Sequence, residues 1–303
     1  LGIRIRMSQC LAFSSMWRSR VFAFRWRYSL LLIVWSLLWG SVACAQSAPP
    51  VLSVGIVPQQ AASELARAWI PLLQEVGRRA RVQLAFRTAS DIPAFEDRVM
   101  KGEFDLAYMN PYHYTVFSNK PGYQAFLKEK DRKLVGIIVV PKGSPVQSLE
   151  QLQGKRVAFP APAAFAASIL PRAEFTRHHV AIEARFVSSH DSVYKGVASG
   201  LFEAGGGIQR TLEAMEPEVS SQLRVLSRTP AYTPHALAIH PGVSAEVAER
   251  LRQAFIGLDG DEAGRALLEP LNFKGLVTAT DSEWDSIRAL RLKQPVGSTA
   301  VRQ

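Results

Sequence analysis

Short apolar runs alternate with stretches of helical periodicity along most of this chain. Residues 51–57 form an apolar run that ends at Pro58, and this pattern predicts a buried strand. A stretch of helical spacing follows, and then two further strands at 81–86 and 104–108 enclose a second helical stretch at 92–100. Strands and helices in this order predict right-handed crossovers and a parallel sheet, and therefore an α/β fold.

Two turn-forming segments interrupt this alternation and divide the chain. An apolar strand at 133–140 is broken by Pro141–Pro145, which contains two prolines and a glycine. A fresh series of strands and helices starts at Arg156, and a second break follows at Arg228–Tyr232. One α/β unit between two breaks predicts two lobes that meet in a cleft and close on a ligand like a hinge. A single larger α/β domain is the alternative.

The predicted boundaries follow these breaks. Residues 46–141 together with 231–292 form the first lobe, residues 142–230 form the second lobe, and residues 293–303 form a flexible tail. Residues 1–45 are predicted to be a secretory signal peptide, because six arginines and no acidic residue precede a short apolar run and small residues follow it.

Cleavage after Ala45 fits the small residues Ala43 and Ala45, and export predicts a periplasmic location. An uncleaved anchor is one alternative, although the apolar run is shorter than the roughly 20 residues of a membrane span. Lipid attachment at Cys44 is another. Because Cys10 and Cys44 both lie in the leader, a chain cut after Ala45 has no thiol, which excludes disulfides and a cysteine nucleophile.

The net charge of +10 comes largely from the leader. Without its six arginines the chain has 30 basic and 26 acidic residues, and no basic stripe is interleaved with aromatic residues. The sequence therefore predicts no nucleic-acid partner. The six histidines lack paired ligand spacing, so no metal site and no cofactor are predicted.

The stretch Ser188–Gly207 is the most informative part of the chain. A short strand runs into Ser189-His190-Asp191, a helix follows, and a second strand ends in Gly205-Gly206-Gly207. This order places polar loops at the edge of a parallel sheet, where open α/β sheets hold ligands, and glycines there allow a close approach of a bound molecule. His190 at a helix start is a candidate donor to an anion, although it could equally be solvated beside a capping Ser189 or Asp191.

A second candidate cluster follows the strand at 104–108. Pro111 suits the first position of a helix, and Asn110 suits its cap. Tyr108, Asn110, His113 and Tyr114 are therefore expected to line the cleft, with ordinary half-buried packing of the tyrosines as the alternative.

Other polar residues join these candidates. Arg210, just beyond the glycines, could pair with an oxyanion in a bidentate way or lie on the surface as an ordinary arginine. Gln59 and Gln60 follow the first strand and could reach the cleft. No G-x-S-x-G and no G-x-x-x-x-G-K-[ST] pattern occurs, so neither a serine hydrolase nor a P-loop ATPase is indicated.

Several of these segments recur in one order in a known family. They are the leader, Val51–Pro58, Gly102–Tyr108, Val157–Phe159 and Ser189–Tyr194. In this the chain resembles the phosphate/phosphite/phosphonate-binding proteins of ABC importers, a branch of the type II periplasmic binding proteins. The resemblance implies two lobes, each a mostly parallel sheet flanked by helices, and capture of a small anion in the cleft. It also implies delivery to a membrane permease, with no catalysis and no cofactor.

The resemblance also implies roles for individual residues. The family's oxyanion-binding histidine and tyrosine fall on His190 and Tyr114. Its Ser-Thr-Ser-Gly run at a helix start falls on Ala164-Phe165-Ala166-Ala167, so three hydroxyl donors are missing and a phenyl ring replaces one. Gln209 and Arg210 stand near the position where some members carry acidic residues. The predicted ligand-binding residues are therefore Tyr108, Asn110, His113, Tyr114, Ala164, Phe165, His190, Gln209 and Arg210.

The loss of these hydroxyls favours a ligand with an apolar part against Phe165. Two other roles stay open at this point. The same fold could bind its ligand and dock on a membrane sensor kinase, or it could host an enzyme.

Overall fold

The computed structural model describes residues 50–292, which form two sheets with helices packed against them. The strands are β1 (Val51–Ile56), β2 (Gln83–Arg87), β3 (Leu106–Met109), β4 (Gln124–Glu129), β5 (Leu134–Pro141), β6 (Arg156–Phe159), β7 (Glu183–Phe186), β8 (Ala204–Ile208), β9 (Leu223–Tyr232), β10 (Ala236–Ile239) and β11 (Leu276–Thr278). The predicted leader, its cleavage site, Cys44 and the tail at 293–303 lie outside the described residues.

The helices follow the strands in the expected alternation. They are α1 (Ala62–Ala80), α2 (Ile92–Met100), α3 (Pro111–Phe117), α4 (Leu170–Arg177), α5 (His190–Ala198), α6 (Gln209–Glu213), α7 (Pro217–Ser220), α8 (Ala245–Ile256), α9 (Glu262–Leu268) and α10 (Asp285–Arg288). A π-helical turn, Phe165–Ile169, runs directly into α4. In the part of the chain described, no helix is both long and apolar enough to cross a membrane.

The first sheet has six strands in the order β11-β4-β10-β3-β1-β2. Strand β1 pairs in parallel with β2 and β3, whereas β10 runs antiparallel to β3 and β4. The second sheet has five strands in the order β7-β6-β8-β5-β9, with β6 parallel to β7 and β8 and with β5 antiparallel to its neighbours. Each sheet therefore has a parallel part, which places several loops at one edge.

The chain crosses between the sheets at 130–133 and at 233–235. The predicted first boundary, at 141/142, is therefore too late, because β5 pairs with β8 and β9 in the second sheet. Pro141–Pro145 is a turn inside the second lobe, where Ser144 N donates to the Pro141 carbonyl at 2.9 Å. The boundary at 230/231 is early by a few residues, since β9 extends to Tyr232. Turn residues mark where a strand ends but do not show which strand it pairs with.

Helix α1 shows why the first lobe folds as its sequence predicts. Its apolar residues recur at helical spacing and form one buried stripe, which belongs to the core of the first lobe. Each large apolar side chain in such a stripe contributes about 1.5–3 kcal/mol relative to exposure. The stripe consists of Leu65, Trp69, Leu72, Leu73 and Val76.

Two helix starts that matter for the site are capped by side chains. The predicted cap at Asn110 is confirmed: its Oδ1 accepts from the N–H of His113 at 2.8 Å, and Pro111 occupies the first helical position of α3. Ser189 caps α5 by accepting from the N–H of Ser192 at 3.1 Å. Both caps follow the carboxyl end of a parallel strand.

Candidate functional site

The two lobes touch directly through hydrogen bonds between the loops at the strand ends. The N–H of His190 donates to the Gln59 carbonyl at 2.9 Å. The N–H of Ala61 donates to Oδ2 of Asp191 at 2.7 Å, and Nδ2 of Asn110 donates to the Ala163 carbonyl at 3.3 Å. These contacts hold the lobes in a closed arrangement around a small space.

This space is the interlobe cavity, and both lobes line it. From the first lobe and the second crossing segment come Val57, Gln59, Ile92, Asn110 and His235, and from the second lobe come Ala164, Phe165, Ala166, Ala167, His190 and Ile208. Most of these residues follow the carboxyl end of a parallel strand, the edge at which α/β sheets bind ligands. The free volume is about 10 Å³, enough for the centre of roughly one water-sized group.

The second-lobe wall is a helix start. The N–H groups of Phe165, Ala166 and Ala167 lie in the first turn of the continuous helix 165–177, and first-turn N–H groups have no acceptor within their own helix. At the start of the π-helical turn, the N–H groups of Ser168 and Ile169 both donate to the Ala164 carbonyl, at 2.7 and 3.2 Å. A helix start of this kind presents aligned N–H dipoles to an anion.

Glycines hold this helix start against the sheet. A Cβ at Gly206 would lie 2.1 Å from the Ala167 carbonyl oxygen, and a Cβ at Gly136 would lie 2.1 Å from that of Ala166. The Gly205–Gly207 run was expected to admit a bound molecule. The space beside these glycines is instead filled by other parts of the protein. This close packing is how they contribute to the site, because it lets the helix start lie at the cavity.

His190 lines the cavity in an uncharged state. Its Nδ1 lies 3.0 Å from Oγ1 of Thr211, and the side chain is almost fully buried. Burial, with a smaller contribution from the nearby Arg210, lowers the pKa of His190 to about 3. The predicted solvated alternative for His190 is therefore wrong, and at neutral pH the ring is a neutral polar group.

Asn110 reaches the cavity as predicted, and it is joined by a residue that the sequence did not single out. His235 lines the cavity, stacks on Tyr108 with ring centroids 5.1 Å apart, and places its Nε2 2.9 Å from Nε2 of Gln59. Burial, followed by Arg210, lowers the pKa of His235 well below its ordinary value. The only sequence signal for His235 was its position in the second crossing segment, directly after Pro234.

Tyr108, Glu129 and Arg210 form a second polar group between the lobes, called here the ion cluster. Arg210 donates to Glu129 and to the hydroxyl of Tyr108, which itself donates to Glu129 at 3.0 Å. Burial alone would lower the pKa of Arg210, but Glu129 and Tyr108 raise it above its ordinary value. Tyr108 and Arg210 were predicted ligand-binding residues, yet they bind each other and Glu129 and do not line the interlobe cavity.

A second small cavity lies on the other side of Gln59. Its lining includes Gln60, Arg210 and a largely apolar set from α1 and from the segment after α9. The one formal cation in that lining is the arginine already paired with Glu129. Gln60 therefore lies beside the ion cluster, whereas Gln59 lies between the ion cluster and the interlobe cavity.

Three other predicted site residues lie away from the cavity. The Tyr114 hydroxyl donates to Asp281 at 2.6 Å and accepts from the Ala125 N–H, and its ring packs on Trp284. His113 is buried, with its Nε2 2.6 Å from Oε1 of Glu96. The side chain of Gln209 forms hydrogen bonds with Glu213 and Arg228. Tyr114 lies four residues beyond the cap of α3, about 6 Å further along the helix axis, so the cap faces the cleft and the tyrosine does not.

Comparison with known proteins agrees with this architecture. The family described as "ABC transporter, phosphonate, periplasmic substrate-binding protein" matches residues 54–284. The phosphate-import protein PhnD of Mycolicibacterium smegmatis is 21% identical, over 80% of this chain and 86% of the relative. The structure of PhnD1 from Prochlorococcus marinus in complex with methylphosphonate has a TM-score of 0.74 at 19% identity, covering 80% of this chain and 97% of that one.

A binding-protein component of an ABC phosphonate transporter from Pseudomonas aeruginosa has a TM-score of 0.75 at 18% identity, covering 80% of this chain and 86% of that one. The fold is therefore the two-lobed fold of periplasmic binding proteins, as predicted. The chain belongs to the family of periplasmic substrate-binding proteins of phosphonate ABC transporters. Its role is to bind a small ligand in the periplasm and to deliver it to the permease of an ABC importer, as predicted.

Proposed function

We propose that this importer component captures a small oxyanion with an apolar substituent, of the alkylphosphonate type, in the interlobe cavity. Two of its relatives support this ligand class, because one is a phosphate-import protein and the structure of another was solved with methylphosphonate. The chain acts as a receptor that releases its ligand unchanged. Export through the leader at 1–45, with cleavage after Ala45, is part of the same proposal.

The observation that carries the proposal is the convergence of donors from both lobes. The first-turn N–H groups of Phe165, Ala166 and Ala167 and the ring of His190 lie on one side, and His235 lies on the other. An oxyanion has several acceptor oxygens and can accept from both sides at once, which links its binding to closure of the lobes. Hydrogen bonds to a charged group contribute roughly 1.5–3 kcal/mol each.

The charge of the cavity narrows the ligand class. Among residues 50–292, no lysine or arginine lines the interlobe cavity, and the nearby Arg210 is already paired with Glu129. A ligand is therefore held by neutral dipoles, as at the helix starts that bind phosphate and sulfate groups. Such a site tolerates a small anion and offers no partner for a large multiply charged one.

The size and apolar lining of the cavity add a further restriction. The phenyl ring of Phe165 stands edge-on to Tyr232, with centroids 5.3 Å apart, and Val57 and Ile92 complete the apolar lining. Because the free volume of about 10 Å³ admits roughly one water-sized group, a ligand enters only when the lobes separate, and they close around it less tightly than in this structure. A methyl or ethyl substituent against Phe165 would replace part of the contact that the family makes through hydroxyls.

The lining also supports a receptor without catalysis. The lining described for the cavity contains no serine, threonine, cysteine, lysine or acidic residue. Nucleophilic catalysis needs such a group beside a base. His190 is a neutral base here, but its Nδ1 is engaged by Thr211 behind the cavity wall.

Calorimetric titration of the purified protein with methylphosphonate, phosphate, sulfate and acetate tests the proposal. We expect one methylphosphonate per chain, bound more tightly than acetate. In His190→Asn, whose amide can still reach Thr211, we expect roughly ten-fold weaker binding, a loss of about 1–3 kcal/mol. Tyr114→Phe is the matched control, and its affinity should equal that of the wild type although it loses the bond to Asp281.

Two outcomes would contradict the proposal. One is equal losses of affinity in both variants, which would mean that the site is not the interlobe cavity. The other is chemical conversion of methylphosphonate during incubation with stoichiometric protein, as monitored by phosphorus NMR. Such a conversion would show that the protein is an enzyme and not a receptor.

A further inference from the structure

A chain of four polar side chains runs from the ion cluster to the interlobe cavity and crosses between the lobes. Glu129 pairs with Arg210, whose Nη2 donates to Oε1 of Gln59 at 3.0 Å. Nε2 of Gln59 lies 2.9 Å from Nε2 of His235. All four side chains are buried or nearly so, which makes the direction of each hydrogen bond significant.

The direction of this chain follows from the chemistry of its first member. A guanidinium group can only donate, so the side-chain oxygen of Gln59 must face Arg210 and its amide nitrogen must face His235. An amide nitrogen is itself a donor. Nε2 of His235 is therefore the acceptor in this bond, and it carries no proton.

The proton of His235 then lies on the other ring nitrogen. The ring is neutral, because it is buried and close to Arg210, and a neutral imidazole carries one proton. With Nε2 acting as acceptor, that proton is on Nδ1. Nδ1 is buried and has no hydrogen-bond partner among residues 50–292, and the ring lines the interlobe cavity. An unpaired buried donor in a native fold requires an explanation.

We propose that His235 is a ligand-binding residue that donates from Nδ1–H to the captured oxyanion, and that Arg210 and Gln59 are positioning residues that fix this tautomer. The inference rests on the proposed function and deepens it, because it assigns a donor that must meet an acceptor atom of the ligand. A ligand with an amino or hydroxyl donor at that position would leave Nδ1–H facing another donor. The tautomer therefore selects an unprotonated oxygen.

The tautomer is measurable in the full chain without any ligand. In protein labelled with ¹⁵N, the two ring nitrogens of a neutral histidine differ strongly in chemical shift, and the His235→Asn variant identifies the His235 signals. We expect a protonated Nδ1 and an unprotonated Nε2 at neutral pH. The reverse tautomer would overturn the inference.

The positioning role of Gln59 has its own readout. Gln59→Met removes the donor to Nε2 with little change in volume, so the ring should no longer be held in one tautomer and both sets of signals should appear. Gln60→Met is the matched control, because Gln60 borders the second cavity and makes no bond to His235. A His235 tautomer that is unchanged in Gln59→Met would show that Gln59 does not position the ring.

Two substitutions at His235 separate ligand binding from packing. The amide nitrogen of Asn reaches the position of Nδ1, whereas the side-chain oxygen of Gln reaches the position of Nε2 and can accept from Nε2 of Gln59. With methylphosphonate as the probe, we expect about three-fold weaker binding in His235→Asn and at least ten-fold weaker binding in His235→Gln. Equal losses, or the reverse order, would overturn the inference.

Failure of the proposed function has a different signature. If the wild type binds neither methylphosphonate nor phosphate, the proposed ligand class is wrong, and the tautomer measurement still decides whether Nδ1 is the donor. If both substitutions at His235 prevent folding, sequential resonance assignment identifies the His235 signals, and the wild-type and Gln59→Met spectra decide the tautomer. If the wild type binds methylphosphonate and the tautomer is reversed, the proposed function stands and this inference fails.

Discussion

The ion cluster and the interlobe cavity both lie between the lobes, and both are buried, but they differ in charge and in how completely their polar groups are paired. In the ion cluster, Arg210 and Glu129 neutralise each other and Tyr108 bonds to both. In the cavity, the described lining carries no formal charge at neutral pH, and Nδ1 of His235 has no partner. The polar groups of the ion cluster are paired with one another, whereas the cavity keeps groups that are free to bind a ligand.

This difference separates two tasks that a closing receptor must perform. Breaking a buried ion pair by removing one partner is costly, so the ion cluster favours one arrangement of the lobes. The cavity contributes less to that arrangement and more to recognition, because its donors gain a partner only when a ligand arrives. Gln59 connects the two places, since it bonds to Arg210 on one side and to His235 on the other.

The largest expected effect comes from breaking the ion cluster. Arg210→Met leaves Glu129 buried with only the more distant Arg132, whose Nε lies 4.0 Å from Oε2 of Glu129. We expect a loss of about 3–5 kcal/mol in the free energy of unfolding, measured by urea denaturation. If the lobes open to hydrate Glu129, small-angle X-ray scattering will show a larger radius of gyration and the loss will be smaller.

The control for this variant is an arginine in an exposed ion pair away from Glu129. Arg156 bonds to Glu203 at 3.4 Å and is partly exposed, so Arg156→Met should cost less than about 1 kcal/mol. The double variant Arg210→Met, Glu129→Met should recover most of the loss. A single variant no less stable than the control would mean that the ion cluster does not hold the lobes.

A smaller loss of stability is expected at acidic pH, where protonation would place a charge in the cavity. Unfolded His190 has an ordinary pKa near 6.5, whereas the folded value is about 3, so between these values the unfolded state binds a proton that the folded state does not. Stability is therefore lost as the pH falls, by roughly 2 kcal/mol from His190 between pH 7 and pH 5.

Urea denaturation at both pH values checks this prediction. In His190→Asn, the difference between pH 7 and pH 5 should shrink by about that amount. Tyr114→Phe, which removes no group that titrates in this range, should keep the wild-type difference. An unchanged difference in His190→Asn would show that the cavity is open enough to hydrate the ring.

The smallest expected effect comes from returning one hydroxyl to the cavity wall. Ala164 precedes the helix start and makes no side-chain cap. In Ala164→Ser we expect a gain of about 1 kcal/mol in stability from the new cap, and roughly five-fold tighter binding of methylphosphonate by titration. Ala61→Ser is the matched control, because Ala61 also precedes a helix without a side-chain cap but lies outside the cavity lining. Tighter binding in both variants would mean that stability, and not a new donor, raised the affinity.

Much of the fold could be predicted from the sequence because its signals are local. The helical spacing in α1 and the cap at Asn110 with Pro111 depend only on residues close together in the chain. The boundary at 141/142 was wrong because the pairing of β5 with β8 and β9 is a long-range property. Apolar strands look alike whichever sheet they join.

The site was predictable only in part, for a similar reason. Asn110, Ala164, Phe165 and His190 line the cavity, since they follow strand ends that gather at one edge. Tyr114 lies in the same segment as Asn110, but it bonds to Asp281 and does not line the cavity. The spacing of residues along a helix does not show which of its side chains will reach a cavity at the helix start. The pairing of Arg210 with Glu129 joins residues far apart in sequence.

The neutral lining of the cavity has a consequence for life outside the cytoplasm. Dissolved salt weakens attraction between exposed charges over distances of about 8 Å at physiological ionic strength, but it scarcely affects buried amide and imidazole dipoles. A receptor that bound its anion through exposed lysines would have a lower affinity at high salt concentration and a higher affinity at low salt concentration. With its donors enclosed and uncharged, this cavity should bind its ligand with an affinity that changes little as the salt concentration around the cell changes.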